Sequence, residues 1–248
     1  MLPFRIKICG LTEEEDACLV ATSGVQCIGL NFSSHSKRQV AVDVAANIAD
    51  TFRNSVSDRL VGQNATVVGV FVEQTVAEAN RIADEVGLDF IQLHGDHELA
   101  VLGQAQRPVI LVRRLKAKDS AELKRRCLDL LNEILLWQNH VESNGAERLA
   151  GLLLDAHVEG EWGGTGQTLA WTALKDRRAW TNDQGQRLWP ATLPLVLAGG
   201  ITPVNVAQAL REAQPEAIDI ASGVESRPGK KSATLVEELV REAGEFRT

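Results

Sequence analysis

The feature of this 248-residue sequence that most constrains its fold is a repeated alternation of a short apolar run with a segment of helical periodicity. The eight apolar runs are residues 4–9, 27–32, 67–72, 90–94, 109–112, 151–155, 195–198 and 218–222. Most are near-continuous in Val, Ile and Leu, as are strands that are buried on both faces of a parallel sheet. Eight such β–α units predict an α/β protein with a parallel (β/α)₈ barrel, and an open, doubly wound sheet is the alternative.

Several helices carry start signals in the sequence. Thr12 and Thr75 each precede a glutamate by three residues, which is the spacing of a capping box at a helix start. Thr202 followed by Pro203 predicts an N-cap hydroxyl and a proline at the first helical position.

The length of 248 residues suits one barrel, so we expect a single domain over residues 1–248. Polar segments without periodicity predict loop insertions on its surface. They lie near residues 54–65, 138–148 and 176–192. The last contains Trp180 and Trp189, which we expect to pack locally, a partner surface being the alternative.

Composition excludes several classes of function. The formal net charge of −7 argues against a nucleic-acid partner, which would require a basic face. No stretch approaches the roughly 20 apolar residues of a membrane span, and the first residues lack the apolar core of a signal peptide. The four cysteines and five histidines show no metal-site spacing. We therefore expect a cytoplasmic protein without a metal, a membrane partner or a nucleic-acid partner.

In a barrel of this kind the active site lies at the carboxyl ends of the strands. Loops rich in glycine follow the seventh and eighth strands, where backbone N–H groups and helix N-termini commonly bind a phosphate. Their candidate phosphate-binding residues are Gly199, Gly200, Ser222 and Gly223. Tight turns without a ligand are the alternative. A further loop, after the sixth strand, contains Gly164 and Gly166, which are also candidate phosphate-binding residues. A lid and a plain surface loop are the alternatives for this segment. A dinucleotide-binding fingerprint and a Walker A loop are both absent from the sequence.

Four side chains at strand ends are candidates for chemistry and binding. Cys9 ends the first strand and Asp155 the sixth, and a thiolate with a carboxylic acid is a complementary pair for moving protons. A structural thiol and a helix cap or ion pair are the alternatives. Arg38 follows the second strand and has the planar fork that suits a carboxylate, unless it is a solvated turn residue. His94 ends the fourth strand and is, with Arg38, a candidate substrate-binding residue. A hydrogen-bonded support, which we favour for this histidine, and a filled core position are the alternatives.

These segments together resemble the phosphoribosylanthranilate isomerase family, barrel enzymes of tryptophan biosynthesis. In chain order, the matching segments are KICGLT at 7–12, SKR at 36–38, VGVFV at 68–72, QLHG at 92–95, LLLD at 152–155, GGTG at 163–166, AGGI at 198–201 and DIASGVESRPGKKS at 219–232.

The resemblance implies a cofactor-free Amadori rearrangement of N-(5′-phosphoribosyl)anthranilate, a small phosphorylated substrate, by a monomer or homodimer. It implies Asp155 as general acid, Cys9 as general base and Arg38 as the residue that holds the anthranilate carboxylate. A non-catalytic phosphate-ligand binder is one competing interpretation. Isomerisation of a related aminoimidazole ribonucleotide is another, which Cys9 disfavours because that chemistry uses two carboxylates.

Overall fold

The computed structural model describes residues 2–59, 64–95, 97–115, 119–140, 148–155, 171–182 and 184–247. Eight parallel strands close into a barrel in the order in which they occur along the chain. They are β1 (Ile6–Cys9), β2 (Cys27–Asn31), β3 (Thr66–Phe71), β4 (Phe90–Leu93), β5 (Val109–Arg114), β6 (Leu149–Asp155), β7 (Leu195–Ala198) and β8 (Ala217–Ile220). The predicted parallel (β/α)₈ barrel is confirmed, and the doubly wound alternative is wrong.

Helices connect the strands on the outside of the barrel. The α-helices are α1 (Glu14–Thr22), α2 (Val42–Arg59), α3 (Val76–Val86), α4 (Ser120–His140), α5 (Val206–Ala213) and α6 (Ala233–Ala243). Short 3₁₀ helices lie at Leu99–Gln104, Trp171–Leu174, Arg177–Ala179, Ser222–Val224 and Gly244–Arg247. An antiparallel hairpin of β9 (Glu225–Arg227) and β10 (Lys230–Lys231) follows β8. Among the described residues no helix has the length and apolar character needed to cross a membrane.

The interior of the barrel contains an apolar cluster that includes residues before the first strand. Leu2 and Phe4 are buried, and the Phe4 ring packs edge-on against Phe90 with centroids 6.2 Å apart. The apolar cluster that includes them also contains Cys27, Val68, Ile110, Val112, Leu153, Val196, Ala198 and Ala217. Because strand side chains alternate between the two faces, the next inward positions are available for chemistry.

The predicted capping box at Thr75 is confirmed. Its hydroxyl accepts a hydrogen bond from the Glu78 N–H, and the Glu78 carboxylate accepts one from the Thr75 N–H. Thr12 does not cap α1, because its hydroxyl donates to the Gly229 carbonyl oxygen at 2.7 Å and the N-cap is Glu13. The loop after β1 is thereby attached to the β9–β10 hairpin.

Thr202 is not an N-cap either. Helix α5 begins at Val206 after Asn205, and the Thr202 N–H donates to Asn205 Oδ1 at 2.8 Å. The Asn205 amide also donates to the Gly200 carbonyl oxygen at 2.9 Å. The segment that the sequence suggested as a first helical turn is therefore a loop that Asn205 holds in shape.

Two of the predicted insertions overlap the ends of helices. Helix α2 continues to Arg59, so the loop predicted from residue 54 is wrong for residues 54–59, and α4 continues to His140. Residues 60–63 and 141–147 lie outside the described residues.

The third segment packs on the barrel through buried side chains. Trp180 and Trp189 are buried and meet edge to face with centroids 6.3 Å apart, which confirms local packing. Arg177 is buried and donates to the carbonyl oxygens of Ala213 and Gln214 at 2.8 and 2.7 Å, at the end of α5.

Candidate active site

The Cys9 thiol lies at the carboxyl end of β1 and is largely buried, with 8% of the residue exposed. Gly29 of β2 is the residue opposite Cys9 in the sheet, and a Cβ at Gly29 would lie 2.6 Å from Cys9 Sγ. A glycine is therefore needed opposite the sulfur. Burial raises the pKa of the thiol, and Lys7 is the strongest influence that lowers it.

Lys7 and Asp219 form an ion pair inside the barrel, which the sequence reasoning missed. Lys7 Nζ lies 2.9 Å from Asp219 Oδ1, and the two side chains are 0% and 9% exposed. Burial lowers the pKa of Lys7, but Asp219, Cys9 and Cys27 together raise it more, so the ammonium form is favoured. The alternation of strand side chains was the available signal, because Lys7 precedes Cys9 by two residues and shares its face.

Asp155 ends β6 and is paired with Arg114 at the end of β5. Arg114 Nε donates to Asp155 Oδ2 at 3.1 Å, and the two residues are in register in the sheet. The carboxylate is 19% exposed and the arginine 63%, so this pair faces the open mouth of the barrel. The ion pair that the sequence analysis gave as an alternative for Asp155 is present.

Arg113 has a different environment from Arg114. Its guanidinium donates to the carbonyl oxygens of His97 and Gly95 at 2.9 and 3.3 Å. These contacts hold the loop after β4 against β5.

His94 follows β4, and its Nε2 lies 2.9 Å from the Gln92 amide nitrogen. Burial lowers the pKa of His94 to about 4, so the ring is neutral at neutral pH. An amide nitrogen can only donate, so ring Nε2 is assigned as the acceptor and the proton belongs on Nδ1. Among the residues that the structure describes, no three metal-ligating side chains come together.

Arg38 is held along one edge of its planar fork by the carboxylate of Glu225, so the solvated-turn alternative is wrong. Its Nε and Nη2 donate to Oε1 and Oε2 of Glu225 at 2.7 and 2.6 Å. The Arg38 stem packs over Gly10, where a Cβ would lie 2.4 Å from Arg38 Cδ, and the Gly10 φ of 78° also favours glycine. Arg38 therefore lies over the residue that follows Cys9.

Lys231 of the hairpin joins Arg38 at the same carboxylate. Its buried ammonium donates to Glu225 Oε1 at 2.8 Å and to the Cys9 carbonyl oxygen at 2.6 Å. Burial raises the pKa of Glu225, but hydrogen bonds from Arg38 and Lys231 leave it below its ordinary value. Neither Glu225 nor Lys231 was singled out from the sequence, because both act through contacts across the barrel.

The two glycine loops predicted to bind phosphate touch each other. A Cβ at Gly223 would lie 1.9 Å from the carbonyl oxygen of Ile201, so only glycine fits there. Gly199 and Gly200 have φ values of 92° and 65°, which residues with side chains rarely adopt. Ser222 begins the 3₁₀ turn that contains Gly223. The other two candidates, Gly164 and Gly166, lie outside the described residues.

Comparison with known proteins identifies the family. Residues 6–242 match the family model described as N-(5′-phosphoribosyl)anthranilate (PRA) isomerase. A protein of that name from Pelobacter propionicus is 32% identical over 244 residues, covering 98% of this chain and 97% of its own length. One from Pseudomonas aeruginosa is 36% identical, covering 95% and 93%.

Solved structures agree with this assignment. The crystal structure of phosphoribosyl anthranilate isomerase from Thermotoga maritima superposes with a TM-score of 0.69 at 27% identity, covering 97% of this chain and 98% of that one. An isomerase in complex with reduced 1-(o-carboxyphenylamino)-1-deoxyribulose 5-phosphate superposes with a TM-score of 0.66 at 25% identity, covering 97% and 98%. The chain therefore belongs to the N-(5′-phosphoribosyl)anthranilate isomerase family.

Proposed function

We propose that this protein converts N-(5′-phosphoribosyl)anthranilate to 1-(2-carboxyphenylamino)-1-deoxyribulose 5-phosphate without a cofactor, with Asp155 as acid and Cys9 as base. Family membership over residues 6–242 carries the proposal. The chemistry of the barrel mouth supports it, because a thiol and a carboxyl group end two strands of one barrel.

The reaction divides into two proton transfers. Asp155 gives a proton to the furanose ring oxygen, the bond from that oxygen to C1′ breaks, and the anthranilate nitrogen forms a double bond to C1′. The Cys9 thiolate then removes the proton on C2′, and the electron pair moves to give an enolamine. Protonation at C1′ and loss of the 2′-hydroxyl proton give the ketone. Acid and base thus act in sequence on the ring oxygen and on C2′, the two atoms that flank C1′.

The two ends of the substrate have separate anchors in this proposal. Arg38 binds the anthranilate carboxylate, and its contact with Glu225 fixes the guanidinium above the residue after Cys9. Backbone N–H groups near Gly200 and Gly223 bind the phosphate, with the loop of Gly164 and Gly166 as a further contact. Anchors at both ends hold C1′ and C2′ between acid and base.

His94 has a supporting role in this scheme. A ring with a pKa of about 4 is a poor proton donor or acceptor at neutral pH, since it is already deprotonated and weakly basic. Its hydrogen bond with Gln92 orients it at the end of β4.

The setting of the reaction is also part of the proposal. The four cysteines are free, which suits a reducing compartment such as the cytoplasm. A related Thermotoga maritima structure concerns monomers made from a dimeric isomerase, and it has a TM-score of 0.68 at 26% identity. We infer a monomer or a homodimer here as well, with no nucleic-acid partner.

Kinetics of single variants test the assignment. In a fluorescence assay that follows loss of freshly made phosphoribosylanthranilate, Cys9→Ser and Asp155→Asn should each reduce kcat by roughly 10²–10⁴-fold. Cys18→Ser is the matched control, because Cys18 is exposed on α1. Near-native turnover of Cys9→Ser would remove the base from the mechanism, and a wild-type protein that binds but does not convert the substrate would be a binder.

A further inference from the structure

The buried ion pair of Lys7 and Asp219 carries a large desolvation free energy. Both charges are removed from water, and the lysine side chain is fully buried. The desolvation cost of such a pair commonly equals or exceeds the attraction between its charges, so apolar residues of similar volume would stabilise the fold as well or better. Stability alone therefore gives no reason for this pair.

The pair lies directly beside the Cys9 sulfur. Lys7 and Cys9 point inward from alternate positions of β1, and the position of a Gly29 Cβ would be 2.8 Å from Lys7 Nζ and 2.6 Å from Cys9 Sγ. The ammonium group and the sulfur thus share one small space against β2. Asp219 is in register with Lys7 from the other neighbouring strand, β8.

We propose that Lys7 is a positioning residue whose ammonium group favours the thiolate form of Cys9, and that Asp219 holds this ammonium beside the sulfur. The proposal rests on the role of Cys9 as base in the proposed function. A buried sulfur needs such a cation, because desolvation penalises a lone thiolate. The ion pair brings a positive charge into the barrel that would otherwise be too costly to bury alone.

The electrostatics around the thiol agree in direction. Burial raises the pKa of Cys9 and Lys7 lowers it, whereas Asp219 raises it by less than Lys7 lowers it. Among the described residues, Lys231, Arg38 and Cys27 also interact electrostatically with Cys9. Lys231 lowers the thiol pKa less than Lys7 does, and its ammonium is engaged by Glu225.

The decisive measurement is the titration of the Cys9 thiol in a variant without the pair. Lys7→Met with Asp219→Asn removes both charges, so neither partner is left unpaired. Thiolate absorbance is recorded against pH with and without Cys9→Ser in the same background, so that the difference reports Cys9 alone. The thiol pKa should rise by about one unit or more, which is a tenfold smaller thiolate fraction at a fixed pH below it. An unchanged thiol pKa overturns the proposal.

Conservative and distant variants separate this role from a structural one. Lys7→Arg keeps the charge and should leave the thiol pKa closer to the wild-type value. If the double variant does not fold, Lys7→Gln takes its place, because the glutamine amide can still donate to Asp219. The Cys9 thiol pKa should rise in that variant too. Arg107→Met with Asp84→Asn removes a surface ion pair of 2.8 Å and should not move the thiol pKa.

Activity measurements distinguish the two proposals. If the protein is an active isomerase, the ascending limb of kcat/KM against pH should move with the thiol pKa in the double variant. An active isomerase with an unmoved thiol pKa contradicts the role of Lys7 and leaves the proposed function intact. A wild-type protein without isomerase activity whose thiol pKa rises in the variant contradicts the proposed function alone.

Discussion

The guanidinium of Arg38 is joined to the carboxylate of Glu225 by two hydrogen bonds, Nε to Oε1 at 2.7 Å and Nη2 to Oε2 at 2.6 Å. The pair spans 187 positions of the sequence and links the loop after β2 to the hairpin after β8. It uses one edge of the arginine fork. A substrate carboxylate at Arg38 therefore binds at the Nη1 edge or competes with Glu225 for the same nitrogens.

Glu225→Gln should destabilise the protein. The carboxylate is 4% exposed and also accepts from Lys231, whose side chain is 0% exposed, so the variant leaves a buried ammonium without its anion. Breaking a buried ion pair in this way costs about 3–5 kcal/mol. Urea denaturation measures the loss. Glu85→Gln, in an exposed pair with Arg81, is the control and should cost less than about 1 kcal/mol.

Arg38→Ala should lower kcat/KM chiefly through weaker substrate binding. A charged, bidentate hydrogen bond contributes on the order of 1.5–3 kcal/mol, which corresponds to roughly 10- to 150-fold in the specificity constant. Arg38→Lys keeps a charge but loses the planar fork, so most of the loss should remain. Steady-state kinetics decide this, with Arg81→Ala on exposed α3 as the control. An unchanged kcat/KM in Arg38→Ala would mean that Arg38 serves only to bind Glu225.

The strands and their ends were predictable because their signals are local. Runs of Val, Ile and Leu predicted all eight strands to within a few residues, and the position of a residue at a strand end suffices to point to Cys9 and Asp155. The partners of those residues were not predictable in the same way. Glu225 and Lys231 come to the site through a hairpin that follows the last barrel strand, and no local pattern indicates which loop they approach.

Two predicted helix caps failed because other hydrogen bonds shape the loops before those helices. Thr12 has the right spacing for a capping box, but its hydroxyl donates to Gly229, which lies 217 positions away. Thr202 is followed by proline, yet Asn205 accepts from its N–H and delays the helix to Val206. At Thr75 the hydroxyl does accept the hydrogen bond from the Glu78 N–H, and the local signal was correct.

A phosphate site at the two glycine loops predicts an effect of Gly200→Ala on inhibition by inorganic phosphate. The Gly200 φ of 65° disfavours alanine although a Cβ would have open space, so the loop should shift and phosphate should inhibit more weakly. Gly24→Ala is a matched control, because Gly24 has a φ of 84° and equal space but lies before β2, at the opposite end of the barrel. Competitive inhibition constants for phosphate in both variants measure the difference. Equal constants would place the phosphate elsewhere.

His94 predicts a pH dependence of folding stability. Burial lowers its pKa to about 4 from an ordinary 6.5, so the unfolded chain binds a proton at this residue between those pH values and the folded protein does not. Unfolding then takes up a proton, and the free energy of unfolding falls as the pH falls from about 6.5 to about 4. The free energy of unfolding should therefore be about 3 kcal/mol lower at pH 4 than above pH 6.5 on account of this residue.

Urea denaturation between pH 4 and 7 compares the wild type with His94→Gln, which cannot take up that proton. The variant should lose less stability than the wild type as the pH falls, because its folded and unfolded forms bind protons equally at this position. His35→Gln, at an exposed position, is the control and should follow the wild-type curve. Parallel curves for the wild type and His94→Gln would show that the imidazole is protonated in the folded barrel as readily as in the unfolded chain. In that case the ring could also act as a proton donor in the reaction, and its supporting role would have to be given up.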